Sequence, residues 1–159
     1  MVIFVVQYMR MDDKDLTRRI IGAAIEVHGQ LGLGLLESAY EECLCKELNL
    51  RGIEYERQKA VPVVYKGVKL ECGYRIDLLV EEKIVVELKA IEQIAPIHEA
   101  VVLTYLKLSN KSVGLLINFH VPVLKDGIRR YIWMEKKEFT TEKTEVHGVS
   151  GEDAAKTYG

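Results

Sequence analysis

The sequence lacks long apolar runs. Hydrophobic residues make up 48% of the 159 residues, but no stretch approaches the roughly 20 consecutive apolar residues that a membrane-spanning helix needs. The first eight residues are largely apolar, yet the run is short and lacks a basic n-region and a small-residue cleavage site, so it does not resemble a secretion signal. We therefore expect a globular domain with no membrane partner.

Cysteine is scarce, and common metal and phosphate motifs are missing. The three cysteines, Cys43, Cys45 and Cys72, form neither an even disulfide set nor a CxxC pair. This use of cysteine predicts buried thiols in a reducing, cytoplasmic setting. The cysteines and four histidines lack the spacing of zinc ligands, and the absence of GxxxxGK[ST] argues against a phosphate-loop NTPase.

The chain also has no excess of positive charge. Its formal net charge is −2, so no global basic field attracts nucleic acid. Any nucleic-acid binding must depend on a local basic patch or on a bound metal.

Periodicity predicts one α/β domain. Helical spacing covers residues 12–30, and a second helix starts near Leu35 and ends before Arg51-Gly52, which is a C-cap pattern. Pro96 suits the start of a third helix at 97–109. The predicted order is helix, helix, three strands, helix, strand and a final strand, in a mixed central sheet flanked by helices. The strand-like runs are residues 59–65, 68–72, 74–80, 84–90, 113–118 and 128–134.

These patterns divide the chain into three parts. Residues 12–135 form the predicted domain, residues 1–11 are an N-terminal extension or an added edge strand, and residues 136–159 are polar and charged enough to predict disorder.

Two carboxylates and a lysine interrupt the apolar pattern between Tyr74 and Lys89. They are Asp77, Glu87 and Lys89. If residues 81–83 form a three-residue turn, Val80 pairs with Ile84, and Asp77 lies opposite Glu87 at about 4.5–5.5 Å between Cβ atoms. A two-residue turn would instead place Asp77 opposite Val86. Alternation puts Asp77 on the same face as Arg75 and Leu79.

Opposed carboxylates repel each other unless a cation compensates, and a divalent metal with Lys89 would do so. The competing interpretation is an amphipathic hairpin whose charges simply face water.

The start of the second helix adds a further acid. Glu37 and Tyr40 lie three residues apart, on one helical face, after Gly34. Residues 14–133 resemble the GxxExxY family, a branch of the PD-(D/E)XK nuclease superfamily. The resemblance rests on Gly34/Glu37/Tyr40, on Ile76-Asp77, on Glu87-Leu88-Lys89 and on residues 118–122 (Asn-Phe-His-Val-Pro).

The resemblance implies a restriction-endonuclease-like core (αβββαβ) and assigns roles to individual residues. Asp77, Glu87 and the Leu88 carbonyl would hold Mg2+ or Mn2+. Lys89 would orient the attacking water or stabilise developing charge. Glu37 would be an additional catalytic carboxylate, although a stabilising acid in the first helical turn explains it equally.

Four further residues are candidates for contact with nucleic acid. His28 resembles a family histidine but also suits a helix C-terminus. His98 can cap its helix or reach a phosphate. Tyr105 fits the tyrosine of a Gln-x-x-x-Tyr motif in a related branch, but Val101 replaces the glutamine, and Tyr105 suits the core. Arg75 can serve the site or pair with a neighbouring strand.

Two functions follow from these expectations. The first is a Mg2+- or Mn2+-dependent nuclease acting on DNA in preference to RNA, with a homodimer or protein partner left open. The second is a non-catalytic nucleic-acid-binding or protein-interaction module that retains the nuclease-like fold.

Overall fold

The computed structural model describes residues 12–135, so the expectations for residues 1–11 and 136–159 lie outside the described residues. The helices are α1 (Asp13–Leu31), α2 (Glu37–Leu50) and α3 (Pro96–Ser109), with a short 3-10 turn at Leu124–Gly127. The strands are β1 (Tyr55–Ala60), β2 (Val63–Tyr65), β3 (Val68–Leu70), β4 (Arg75–Val80), β5 (Ile84–Lys89), β6 (Val113–Asn118) and β7 (Ile128–Ile132).

Five strands form a mixed sheet in the order β1-β4-β5-β6-β7. The β5–β6 pair is parallel, and the other neighbours are antiparallel. One apolar cluster joins α1 and α2 to one face of the sheet, while a second joins α3 to the opposite face. The predicted fold class, a mixed sheet between helices with a restriction-endonuclease-like order, is confirmed. No helix within residues 12–135 is long and apolar enough to cross a membrane.

The strand predicted at residues 59–65 is wrong. β1 begins earlier, at Tyr55, and ends at Ala60; β2 begins after Pro62. Proline has no N–H to donate to a ladder, so the chain leaves the main sheet there. Residues 63–70 instead form a separate two-stranded sheet, β2–β3.

The loop before α2 is held by Tyr40. Its hydroxyl donates to the Gly32 carbonyl at 2.6 Å and accepts from the Leu35 N–H at 3.3 Å. Its ring stacks on Phe119, with centroids 4.4 Å apart. The helix predicted to start near Leu35 begins at Glu37, and its N-cap, Leu36, is 77% exposed.

The turn between β4 and β5 has three residues, as one of the two predicted registers requires. Val80 pairs with Ile84, and Glu81 and Glu82 have φ of 51° and 57°. The alternative register, with Asp77 opposite Val86, is excluded, because Leu78 pairs with Val86.

Candidate active site

Asp77 and Glu87 lie at the same end of the β4–β5 hairpin, away from the turn. Regular pairing of these strands runs from Val80–Ile84 to Leu78–Val86. Beyond that pair, the Leu88 N–H donates to Asp77 Oδ2 at 2.8 Å. A carboxylate therefore occupies the place of a backbone acceptor, at the point where the two strands part.

The regular alternation of β4 side chains between the two faces of the sheet is interrupted at Asp77. Leu78 packs in the α1/α2 cluster, but Ile76 packs with Leu79 on the α3 side. Gln58, across from Asp77 on β1, has φ +48° and donates to Asp77 Oδ1 at 3.3 Å. The prediction that Asp77 shares a face with Leu79 is therefore wrong, because the local backbone turns the carboxylate toward Gln58 and α2.

Glu87 is a buried acid with incomplete compensation. It is 5% exposed, and burial, followed by the charge of Asp77, raises its pKa to about 8. Lys89 Nζ lies 3.5 Å from Oε1 and opposes that rise. Its other oxygen, Oε2, is buried and has no hydrogen-bond partner among the described residues. Such an oxygen costs free energy unless another group satisfies it.

Glu37 reaches the same place from α2. Burial raises its pKa, as does the charge of Asp77, while Lys89 and a backbone hydrogen bond from Ala90 lower it. Ala90 directly follows β5, so this bond joins the first turn of α2 to the end of the strand that bears Glu87. Lys89 thus pairs with Glu87 and lies near enough to Glu37 and Asp77 for its charge to oppose the rise in their pKa values.

Glu41 belongs to this cluster and is absent from the residues predicted from sequence. It is 7% exposed and accepts from Arg57 Nε at 3.1 Å and from Gln58 Nε2 at 3.1 and 3.2 Å. Its charge also raises the pKa of Asp77, after burial. Its position, four residues after Glu37 on one helical face, is the sequence signal that could have identified it.

A family model described as the PD-(D/E)XK nuclease superfamily matches residues 14–131. The chain belongs to the PD-(D/E)XK nuclease superfamily. No curated protein and no solved structure gives a significant match.

Nucleases of this superfamily generally use divalent metals, and the donor atoms here suit a hard cation. Glu87 Oε2 has no hydrogen-bond partner within residues 12–135, and Asp77 lies close enough to raise the pKa of Glu87. The Leu88 N–H points toward Asp77, and the carbonyl of a strand residue points to the same edge as its N–H. No group of three or more His, Cys, Asp or Glu side chains within residues 12–135 converges on a metal position. A cation held here would therefore have fewer than three such side chains as ligands.

The two candidate histidines, His28 and His98, each form a hydrogen bond with a backbone group. His28 Nε2 donates to the Val121 carbonyl at 2.8 Å, joining the last turn of α1 to the segment after β6. His98 Nδ1 accepts from the Ala95 N–H at 2.8 Å, so it caps α3. The capping alternative for His98 is confirmed, and its contact with nucleic acid stays a prediction, as does that of His28.

Tyr105 and Arg75 border the acids on the α3 side. Tyr105 is 7% exposed, within the second apolar cluster, as its core interpretation predicts. Its pKa is raised by burial and by the charge of Glu87, and it forms a hydrogen bond with the Arg75 backbone. Arg75 is exposed and donates from its guanidinium to the Gln58 carbonyl at 3.2 Å. Its contact with nucleic acid stays a prediction.

Asn118 fixes the loop beside the acids. Its Oδ1 accepts from the N–H groups of Ile91 and His120, at 3.1 and 3.2 Å, and its Nδ2 donates to the Ile91 carbonyl at 2.8 Å. The segment of residues 118–122 therefore ties the end of β6 to the chain that follows β5.

Proposed function

We propose that this protein is a Mg2+- or Mn2+-dependent nuclease that hydrolyses phosphodiester bonds at Asp77, Glu87 and Lys89. The observation that supports this most is Glu87 Oε2, which is buried without a hydrogen-bond partner in the described part of the chain, beside a second desolvated carboxylate, that of Asp77. A cation there would satisfy the oxygen and offset the repulsion that raises the pKa of Glu87.

Asp77, Glu87 and the Leu88 carbonyl would hold the metal. When bound, Mg2+ or Mn2+ supplies polarisation of the phosphoryl oxygen and a more acidic water. Lys89 would orient that water or stabilise developing negative charge. Burial raises the pKa of Glu37, and Lys89 lies near enough to oppose that rise. Glu37 would therefore hold the lysine in place and act as an additional catalytic carboxylate.

We assign the chain to the GxxExxY branch of the superfamily. Each residue of that pattern has a role consistent with the assignment. Gly34 has φ +106°, Glu37 joins α2 to the end of β5, and Tyr40 anchors the preceding loop. The proposed substrate is nucleic acid, DNA in preference to RNA, with contacts from His28, Arg75, His98 and Tyr105.

Nuclease assays on matched variants test this function. The wild type, Asp77→Ala and Lys89→Ala would be incubated with single-stranded DNA, duplex DNA and RNA, each with Mg2+, Mn2+ or EDTA. We expect cleavage that requires metal and is lost in both variants. Cleavage that survives both substitutions would contradict the proposal.

A second candidate is a binding module without catalysis. The ion pair between Lys89 and Glu87 favours it, because that pair already neutralises one acid without metal. Val101 also favours it, since this residue packs against the α3 cluster where a related branch has a polar glutamine. Absence of cleavage on all three substrates, together with retained nucleic-acid binding, would support this candidate.

A further inference from the structure

The β2–β3 ribbon projects from the same end of the sheet as the acids. The last pair of the β1–β4 ladder is Ala60–Arg75, and the Val61 N–H then donates to the Tyr74 carbonyl at 2.9 Å. Asp77 is two residues beyond Arg75, which is roughly 7 Å along a strand. Whatever contacts the base of this ribbon therefore lies beside the acidic cluster.

The ribbon has little support from the rest of the domain. All three residues of β3 and two of the three residues of β2 are exposed. Its turn is Lys66-Gly67, both with positive φ, which is the tight type that two-residue hairpins favour. A two-stranded hairpin is marginally stable alone, so an exposed one of this kind suits a surface that a ligand covers.

Two exposed tyrosines lie on the ribbon and at its base, and each has a basic residue next to it in the sequence, Lys66 and Arg75. Tyr65 and Tyr74 are 61% and 47% exposed, and Lys66 Nζ lies 5.4 Å from the centroid of the Tyr65 ring. Residues 61–75 also contain Lys69 and Arg75 against a single acid, a local balance of +2 in a chain of net −2. Aromatic faces beside cations are the chemistry that binds single-stranded nucleic acid, through base stacking and phosphate contact.

Tyr74 links this surface to the acids. Its ring meets Tyr105 edge to face, with centroids 6.4 Å apart and planes at 71°. Tyr105 in turn lies close enough to Glu87 for that charge to raise its pKa. An exposed aromatic ring is thus held, through one buried ring, next to a carboxylate of the site.

We propose that the ribbon is a nucleic-acid arm, in which Tyr74 and Tyr65 stack on unpaired bases while Lys66, Lys69 and Arg75 contact phosphates. This inference rests on the proposed function and adds a substrate class, which is single-stranded segments. The exposed apolar residues Val64 and Val68 would suit a second copy of the chain, but such an interface gives no role to Tyr74 and Arg75 beside the acids.

Binding in EDTA tests the arm separately from cleavage. Fluorescence anisotropy with labelled oligothymidylate would compare the wild type with Tyr74→Ala, which removes the ring, and Tyr74→Phe, which keeps it. We expect roughly tenfold weaker binding for Tyr74→Ala and near-normal binding for Tyr74→Phe. Equal affinity of all three proteins would overturn the inference, as would tighter binding of a duplex of matched length.

The salt dependence of binding tests the contribution of the lysines. Each phosphate contact on a single strand contributes about 0.7 to the slope of log affinity against log salt. The double variant Lys66→Gln/Lys69→Gln should lower that slope by about 1.4. The control, Lys46→Gln/Lys107→Gln, removes two exposed lysines from α2 and α3 and should leave it unchanged.

Two further measurements separate the remaining outcomes. Light scattering tests whether the ribbon binds a second copy of the chain instead. If the wild type is a dimer, Val64→Ser/Val68→Ser is a monomer and both bind oligothymidylate equally well, the ribbon is a dimer interface and the arm proposal is overturned.

Cleavage and binding together separate the arm from the proposed function. If the wild type cleaves with metal and the ribbon variants bind normally, the arm proposal is refuted and the proposed function stands. Ribbon-dependent binding without cleavage would support the arm and refute the proposed function.

Discussion

The two ends of the β4–β5 hairpin bear similar charges in different surroundings. At the turn, Glu82 is exposed, and Glu81 Oε1 accepts the Glu54 N–H at 2.9 Å. At the other end, Glu87 is 5% exposed and one of its oxygens has no partner among the described residues. Glu82 is exposed to solvent and Glu81 accepts a hydrogen bond, whereas Glu87 is buried and, among the described residues, only its Oε1 has a partner, Lys89.

The difference shows that burial, not acidity, distinguishes the candidate site. Burial is the largest cause of the raised pKa values of Glu37, Asp77 and Glu87. Residue type alone could not separate these acids from those at the turn, because surface carboxylates are common. A cluster of desolvated acids in a metal-using family is a functional-site candidate for a stated physical reason.

The largest expected contrast between the two ends is catalytic. Glu87→Gln should reduce phosphodiester cleavage by about a hundredfold or more, because loss of a metal ligand removes several kcal/mol of stabilisation of the transition state. Glu82→Gln makes the same change at the turn and should leave the rate unchanged. Initial rates with saturating Mg2+ measure both effects. Equal rates for the two variants would contradict the claim that the buried end of the hairpin, and not the turn, is the catalytic site.

A second contrast concerns the pH dependence of stability in EDTA. The pKa of Glu87 is raised from 4.5 to about 8 in the fold, so the folded state holds that proton more tightly than the unfolded chain. The resulting stability is fully present below pH 4.5 and is lost as pH rises through about 8.

Glu87→Gln has no carboxyl group to titrate at this position. The free energy of unfolding of the variant, relative to that of the wild type, should therefore rise as pH increases between those two values. The rise should reach a few kcal/mol, at about 1.4 kcal/mol for each pKa unit. Urea unfolding across pH measures it. A difference that stays flat with pH would show that Glu87 is not desolvated.

A smaller effect is expected at the loop before α2. Tyr40→Phe removes the hydrogen bond to the Gly32 carbonyl and should cost about 1 kcal/mol of stability, since the ring can keep its stack on Phe119. Thermal unfolding measures the loss. A loss no larger than that of an exposed surface substitution would show that the hydroxyl does not hold the loop.

The smallest effect is expected at the turn itself. Glu81→Gln keeps an oxygen that can accept the Glu54 N–H, so stability should change by no more than about 0.5 kcal/mol. The same urea titration serves as the measurement. A larger loss would mean that the charge of the turn carboxylate stabilises the fold, in contrast to the charge of the buried Glu87.

The sequence predicts the parts that depend on local pattern. α1 and β6 follow from periodicity. The three-residue turn is one of two turn lengths that the sequence left open, and it places Asp77 and Glu87 at one end of the hairpin. The resemblance to a nuclease superfamily draws on the same short motifs, and the family match over residues 14–131 confirms it at that level.

What the sequence does not predict depends on tertiary contacts. β1 is a largely exposed edge strand with no apolar alternation, so its start at Tyr55 gives little signal. Burial of Glu41 requires Arg57 and Gln58 from that same strand. The turn of Asp77 toward α2 depends on the positive φ of Gln58, a backbone conformation that glutamine rarely adopts.

Calorimetric titration of the metal-free protein with Mn2+ tests the central claim most directly. The wild type and the turn variant Glu81→Gln/Glu82→Gln should both bind Mn2+ at a single site, while Asp77→Asn should give no heat of binding. A flat titration of the wild type, or binding that disappears in the turn variant and persists in Asp77→Asn, would contradict the assignment of the metal to the buried acids.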